Sequence, residues 1–167
     1  MREQGQVDRV GLLFYSSYLD WTVPGYGRVQ RERILHALAN ARLGESMVFT
    51  ALKYVPARLF PPESQLIVVS PLAEDDLQPL VQLRALGYQV LVVSPDPISF
   101  EISHLVDRPD VRLAERVVRL ERRLLLKRLQ RAGVQVLDWD VNVPFDHLVR
   151  QRLGRVPTLL HRLQGGA

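Results

Sequence analysis

Serine and aspartate residues directly follow several apolar segments of this chain, at positions where the strands of an α/β sheet would end. Ligands bind such sheets beyond the carboxyl ends of the strands, so side chains placed there are the best candidates for chemistry. Hydroxyl and carboxylate oxygens can hold a hard cation, exchange protons or form hydrogen bonds with a partner. We therefore predict an interaction rim made of these strand-end residues and one helix-capping hydroxyl: Ser16, Ser17, Ser46, Ser70, Asp96, Asp138 and Asp140.

The most suggestive pair in this rim is Asp138 with Asp140, on either side of Trp139 at the end of a predicted strand. Because side chains alternate along a strand, both carboxylates should point to the same side. As a functional pair they could bind a cation or act in acid–base chemistry. As structural residues they would cap backbone groups or pair with a nearby arginine, and we favour this second interpretation.

Two short motifs begin like known sites and then depart from them. The segment from Gly25 to Gly27 starts like a dinucleotide-binding loop, but Gln30 stands at the position of the third glycine, which favours a turn. Residues 44–48 start like a nucleophile elbow, but Val48 replaces the final glycine and no strand precedes them. The serine of that segment is better explained as a helix cap.

Cysteine and histidine offer no further chemistry. The chain has no cysteine, which excludes disulfides, zinc–thiolate sites and thiol catalysis. Its four histidines share no metal-ligand spacing; they are His36, His104, His147 and His161. We therefore predict no catalytic residues, no metal ligands and no cofactor within this chain, and expect that it is not an enzyme.

The composition is that of one globular domain. The chain has 167 residues, of which 47% are hydrophobic and 24% charged, which excludes a disordered chain. We predict a single domain over residues 1–167, with a core at about residues 7–155 and a tail at residues 156–167. Apolar runs are too short to span a bilayer, and the polar first residues lack the apolar core of a secretory signal. We therefore expect a cytoplasmic location.

Strand and helix patterns alternate along the chain, which is typical of an α/β fold. Apolar or alternating runs predict strands at residues 10–16, 18–23, 66–70, 88–94 and 134–138. Helical spacing and capping residues predict helices at residues 28–42, 46–60, 75–86, 110–132 and 146–153. The helix at 110–132 carries a broad apolar face. We predict a doubly wound, mostly parallel sheet in which residues 18–23 form one antiparallel edge strand, stopped by Pro24.

The positive charge has an unusual composition, with twenty arginines and only two lysines. Arginines between Arg112 and Arg131 could contact phosphates and bases, so an arginine-rich nucleic-acid-binding protein is the alternative function. The same residues alternate with glutamates along a predicted helix, as on a solvated helix face. We favour the solvated face and do not expect a nucleic-acid partner.

Several segments resemble the domain of unknown function 58 family, which is similar to von Willebrand factor A-like domains. They are DRVGLLFYSS, DWTVPGYGR, LGES, LIVVSPL, LGYQVLVVSPDP and RLERRLLLKRLQRAGVQVLDWD. The resemblance covers residues 7–155, and its most specific stretch is the last segment with its DWD end. It implies a Rossmann-like sheet of which the first family strand is missing.

The resemblance also implies an incomplete metal site. In the family pattern an Asp-x-Ser-x-Ser loop, a second-loop threonine and a third-loop aspartate hold Mg²⁺ through hard oxygen ligands. The first loop is absent here, Ser46 keeps a hydroxyl at the second, and the third falls near Ser70 and Pro71, where no carboxylate stands. Magnesium would bind only with ligands from a missing segment or from a partner.

The function that the resemblance implies is a non-enzymatic protein-interaction module. Family members belong to membrane-linked assemblies and are often encoded beside MoxR-type AAA+ ATPases, so we expect such an ATPase as the partner. Membrane association would come through an upstream region or through that partner. Without the first family strand, residues 10–16 should pair with residues 66–69 or with another chain, and the exposed strands could form a homo-oligomer.

Overall fold

A computed structural model gives the fold, and it describes residues 8–15, 19–41, 60–102 and 104–153. The chain divides into two compact units, Met1–Pro56 and Ala57–Ala167. The predicted helix at residues 46–60 lies, except for Phe60, outside the described residues. The single domain over residues 1–167 stays a prediction.

The first unit contains an antiparallel hairpin and one helix. Strand β1, Val10–Tyr15, pairs with strand β2, Leu19–Gly25, and helix α1 follows at Gly27–Ala39. The predicted end of the second strand before Pro24 is wrong, because β2 continues to Gly25. The ladder is irregular between Val10 and Leu12, and proline is tolerated at such edge or bulge positions. Gly11 makes room there, since a Cβ on it would lie 2.9 Å from Pro24 Cγ.

The Gly-Tyr-Gly segment is a strand-to-helix connection, as the turn interpretation predicts. Gly27 has a φ of 77°, which favours glycine. The buried Gln30 side chain lies beside Gly25, and its Nε2 donates hydrogen bonds to the carbonyl oxygens of Val10 at 2.8 Å and Val23 at 3.0 Å. The residue that breaks the dinucleotide motif therefore ties the helix to both strands of the hairpin.

The second unit is a three-stranded parallel sheet flanked by helices, compatible with a Rossmann-like fold. The strands lie in the order β3–β4–β5. Their bounds are β3 Gln65–Val69, β4 Gln89–Pro95 and β5 Gln135–Trp139. The helices are α2 Leu77–Ala85, α3 Pro97–Ile102, α4 Pro109–Arg131 and α5 Phe145–Leu153, and a 3₁₀ turn at Glu74–Asp76 precedes α2.

Apolar side chains cover both faces of the central strand. On one face, Val90 and Val92 of β4 pack with Leu80 and Leu83 of α2 and with Leu129 of α4. Burial of such side chains is the main stabilising term of the sheet, at about 25 cal/mol for each Å² of apolar surface. Strand β4 is therefore the interior strand of the described sheet. The continuous apolar run at residues 66–70, which predicts an interior strand, instead forms β3 at one end of that sheet.

The other face of the sheet has a smaller cluster. Leu91 and Val93 of β4 pack there with Leu137 of β5, and the partly buried Trp139 and Leu148 lie against them. Leu148 comes from α5, so this helix covers the face on the side of β5. The two clusters together fix β4 between two layers of helices.

Helix α3 departs from the sequence prediction, which has no regular structure between residues 95 and 109. Asp96 caps this short helix, because its Oδ1 accepts a hydrogen bond from the Ile98 amide at 3.0 Å and its Oδ2 one from Ser99 Oγ at 2.6 Å. Pro97 stands at the first helical position, where its fixed φ favours a helix. The cap and the proline together explain the extra helical turn.

The ladder partners of β1 and β3 bear on the expected strand pairing. Within the described residues, β1 has β2 as its ladder partner and β3 has β4, so the second partner expected for each strand stays a prediction. Over the same ranges, none of the helices combines the length and the apolar character needed to cross a membrane.

Candidate functional site

Three strand ends of the second unit meet at the carboxyl edge of the parallel sheet. The register pairs Val69 with Val93 and Ser94 with Asp138, so the residues that follow β3, β4 and β5 lie side by side. Ser70, Ser94 and Asp96 are buried at this edge, although all three are polar. Buried polar groups need partners, and Ser94 and Asp96 share one.

That partner is Arg122, which reaches the edge from helix α4. Its guanidinium donates hydrogen bonds to the carbonyl oxygen of Pro71 at 2.9 Å, to the carbonyl and Oγ of Ser94 at 3.2 and 3.0 Å, and to the carbonyl of Pro95 at 3.4 Å. Its Nη2 also lies 2.6 Å from Asp138 Oδ1. One side chain thus holds α4 to the last residues of β4 and β5 and to the segment after β3.

A second carboxylate completes the cluster. Arg122 Nε lies 3.5 Å from Asp96 Oδ1, and Arg119 Nη1 lies 3.3 Å from Asp96 Oδ2. Burial by itself would raise the pKa of Asp96, but hydrogen bonds from Ser99 and the Ile98 amide, and then the charges of Arg122 and Arg119, outweigh it. The pKa of Asp96 is therefore lowered, and this carboxylate is ionised at neutral pH.

The arginines themselves are aligned by one more acid. Arg119 Nε donates to Glu115 Oε1 at 2.8 Å, and this bond is the largest cause that raises the pKa of Arg119. Glu115, Arg119 and Arg122 follow one another at helical spacing on the side of α4 that also buries Leu126 and Leu129. The inner side of α4 is thus charged at its amino-terminal half and apolar at its carboxyl-terminal half.

Chemically, this arrangement binds the chain to itself. A guanidinium has five N–H donors in a fixed fork, and Arg122 spends its Nη donors on carbonyl, hydroxyl and carboxylate oxygens of this edge. Asp96 and Asp138 are the carboxylates that could have attracted a cation, and arginine already compensates their charge. The edge is built to fix the position of α4.

The predicted rim is brought together only in part. Ser70, Asp96 and Asp138 lie at this edge, where Ser70 Oγ accepts a hydrogen bond from the Leu72 amide at 3.0 Å. Asp140 turns to its own loop instead, and its Oδ1 accepts from the amide and Nδ2 of Asn142, both at 3.0 Å. Asp138 thus pairs with an arginine and Asp140 caps a backbone amide, and the choice between a structural and a functional role for the two stays a prediction. The remaining rim residues, Ser16, Ser17 and Ser46, lie outside the described residues.

Sequence reasoning did not place Arg122, which organises the edge, or its helix neighbours Glu115 and Arg119 at this site. A signal was available, because the acid and both arginines have the same helical spacing as the buried leucines of α4. It was masked by the leucines and valines on the opposite side, which suggested that the apolar side was the inner one.

Asp76 is a buried carboxylate that forms no ion pair within the described ranges. Its Oδ2 accepts a hydrogen bond from the Ala73 amide at 2.6 Å, while its Oδ1 has no hydrogen-bond partner among the described residues. Burial, the largest cause, raises the pKa of Asp76 to about 6. Asp96 differs because hydrogen bonds from Ser99 and the Ile98 amide, followed by the charges of two arginines, outweigh its burial.

Metal ligands are not grouped in the part of the chain that the structure describes, where no three histidine or acidic side chains stand close enough to hold an ion. The three described histidines each contact a residue four positions away: His36 with Asn40, His104 with Phe100, and His147 with Gln151. The fourth, His161, lies outside the described ranges.

The arginine-rich helix is partly neutralised by acids. Arg112 lies 3.4 Å from Asp107, and Arg128 lies 3.3 Å from Glu74. Four other cations of α4, Arg116, Arg123, Lys127 and Arg131, have no carboxylate within 4.0 Å among the described residues. The free positive charge of the helix is therefore smaller than its arginine content suggests.

Comparison of the chain with protein-family models, with curated proteins and with solved structures finds no match.

Proposed function

We propose that this chain is a non-enzymatic protein-interaction module of the von Willebrand factor A-like class, working with a MoxR-type AAA+ ATPase in a membrane-linked assembly. The parallel sheet flanked by helices supports the proposal, because it is compatible with the Rossmann-like architecture that the resemblance implies. The engagement of the sheet-edge carboxylates by Arg122 supports it too, since they are held for structure. The proposal includes no cofactor, and Mg²⁺ would enter only with ligands from another segment or chain.

The observation that carries the proposal is the open face of strand β3. In the register of the sheet, Ile67 stands beside Leu91 and Val69 beside Val93, on the same face. The two β4 side chains are 4% and 5% exposed, whereas Ile67 is 51% and Val69 is 68% exposed. The apolar face of the sheet therefore continues into solvent at β3, the strand at one end of the parallel sheet.

Among the described residues, β3 has a ladder partner on one edge only. An apolar sheet face beside such an edge is a surface that proteins normally cover. Unpaired ladder groups accept a strand from another chain, and exposed apolar patches mark interaction sites. Binding by strand addition would use the backbone of β3 for affinity and Ile67 and Val69 for specificity. We infer that the ATPase partner binds at this strand.

A binding assay with the purified ATPase tests the proposal. The full chain is immobilised, and the MoxR-type ATPase encoded in the same genome is added with a non-hydrolysable ATP analogue or with ADP. We expect saturable binding in the ATP-like state. The double variant Ile67→Asp, Val69→Asp should raise the dissociation constant about tenfold or more, because it places charge on the apolar contact.

The control is Gln65→Asp, which adds one negative charge, half of that in the double variant, at an exposed position of the same strand face. It should change the dissociation constant less than about threefold. Absence of binding in both nucleotide states would refute the proposed partner. Equal binding by the double variant and the wild type would refute β3 as the contact.

A further inference from the structure

Helix α4 carries a stripe of exposed apolar side chains along its outer side. Its four members follow one another at intervals of four, three and four residues, and each is between 47% and 62% exposed: Leu113, Val117, Leu120 and Leu124. With 3.6 residues per turn, these intervals place all four on one line along the helix. Intervals that alternate between four and three residues are those of the seam between two packed helices.

This stripe does not belong to the core of its own unit. Arg122, Leu126 and Leu129 mark the side of α4 that faces the sheet. A rotation of about 100° per residue places the stripe opposite that inner side. The four exposed apolar side chains therefore do not contribute to the packing that holds α4 against the sheet.

Most of the positive charge beside the stripe lies along one of its flanks. The helical rotation places four cations there, and in the described chain the last three have no carboxylate within 4.0 Å: Arg112, Arg116, Arg123 and Lys127. The other flank carries Ala114, Glu121 and Arg128, the last of which is paired with Glu74. The surface is thus an apolar seam with one cationic edge.

The charges disfavour a second copy of this chain as the occupant. An antiparallel pair of α4 helices would bring the two cationic flanks together, where like charges repel. A parallel pair would set Arg116 against Glu121 of the second copy, which attracts, but Arg123 against that copy's Arg128, which repels. A helix with an acidic edge meets no such conflict.

We propose that the outer side of α4 binds an amphipathic helix of another protein, with apolar residues in its seam and aspartate or glutamate along the edge that faces Arg116, Arg123 and Lys127. The narrow stripe favours a helix over a membrane surface, because membrane-bound helices present a wide apolar face. The inference rests on the proposed function only in treating the chain as an interaction module, and it assigns a second contact surface to it.

Synthetic helical peptides provide the test. One peptide of about three heptads has leucine in the seam and glutamate along one edge, and a second has lysine in place of those glutamates. Both are titrated into the full chain in a calorimeter, beside phosphatidylglycerol vesicles and duplex DNA. We expect saturable binding of the acidic-edge peptide, weakened by salt, and binding of the lysine peptide at least about tenfold weaker.

Variants of the helix locate the contact. Val117→Gln with Leu120→Gln should weaken binding of the acidic-edge peptide about tenfold, because it removes apolar area from the seam while keeping good helix formers. The control Val106→Gln changes an exposed apolar residue outside the stripe and should have no effect. Arg116→Glu with Arg123→Glu should reverse the preference between the two peptides.

The outcomes separate this inference from the proposed function. Unchanged peptide binding in the seam variant, an unchanged preference after charge reversal, or binding of vesicles or DNA but of neither peptide would overturn the inference, whatever the ATPase does. Loss of ATPase binding with intact acidic-peptide binding would overturn the proposed function and leave the inference supported. Circular dichroism of each variant shows that it is folded.

Discussion

The amino-terminal half of helix α4 is the reverse of an ordinary amphipathic helix, whereas its carboxyl-terminal half buries leucines in the usual way. Its amino-terminal half turns Glu115, Arg119 and Arg122 towards the sheet and leaves Val117 and Leu120 outside. A typical surface helix buries its apolar stripe and exposes its charges. The comparison teaches that the inner side is specified by hydrogen bonds and ion pairs, while the outer side is available for contact with another molecule.

Removal of the Arg122 guanidinium from the inner side of α4 should cause the largest loss of stability. Arg122→Met should lower the free energy of unfolding by roughly 3–5 kcal/mol, because carbonyl groups and carboxylates of the strand ends lose their partner. Urea denaturation followed by circular dichroism measures the change. The neighbouring Arg123→Met removes an exposed arginine and should cost less than about 0.5 kcal/mol. Equal losses would show that Arg122 is an ordinary surface residue.

The second comparison uses the same residue type on the two sides. Leu129→Ala should lower the free energy of unfolding by roughly 2–5 kcal/mol, because that side chain is fully buried among the core residues. Leu120→Ala, on the outer side, should change it by less than about 1 kcal/mol. Thermal and urea unfolding of the pair measure both values. A large loss from Leu120→Ala alone would mean that the stripe belongs to a core.

The two buried aspartates, Asp76 and Asp96, should make the stability of the fold depend on pH in opposite directions. Because the pKa of Asp76 is raised to about 6, the folded state binds its proton more tightly than the unfolded state does. Stability should therefore be highest near pH 4 and fall as the pH rises through 6, by roughly 2–3 kcal/mol. Asp96 has a lowered pKa, so its contribution is present at neutral pH and is lost only as the medium becomes acidic.

Unfolding of the wild type and of Asp76→Asn across pH 4–8 measures this effect. The variant should lose most of the decline between pH 4 and pH 7. A decline that persists unchanged in the variant would assign it to other groups.

The smallest expected effect concerns an exposed ion pair of the same helix. Arg128 and Glu74 are both more than half exposed, so solvent screens their attraction. A double-mutant cycle with Arg128→Gln and Glu74→Gln should give a coupling energy below about 1 kcal/mol. A coupling comparable to the loss from Arg122→Met would show that depth of burial does not separate the two arginines.

The strands of the parallel sheet could be predicted from sequence to within a residue or two. Residues 66–70, 88–94 and 134–138 are short, rich in β-branched residues and bounded by glycine, proline or polar residues, so local pattern determines them. Helix α3 was missed, although Asp96 and Pro97 carry the cap and first-turn signals that form it. Its six residues are too few to show helical periodicity.

The candidate site was predictable in place but not in chemistry. Topology brings strand ends to one edge, so Ser70, Asp96 and Asp138 could be placed there from the order of the elements alone. The role of Arg122 could not be predicted in this way. Both sides of α4 have helical periodicity, and the local pattern does not indicate which side faces the sheet. That choice depends on tertiary contacts between residues far apart in the chain.

If the two sides of α4 have separate functions, methyl NMR will distinguish them when a peptide binds. The full chain, labelled at leucine and valine methyl groups, is titrated with the acidic-edge peptide. On binding, the methyl signals of the outer stripe should shift, while those of the buried Leu126 and Leu129 should not. The stripe residues are Leu113, Val117, Leu120 and Leu124. Shifts of the two buried leucines as large as those of the outer four, or shifts confined to residues outside α4, would contradict separate functions for the two sides.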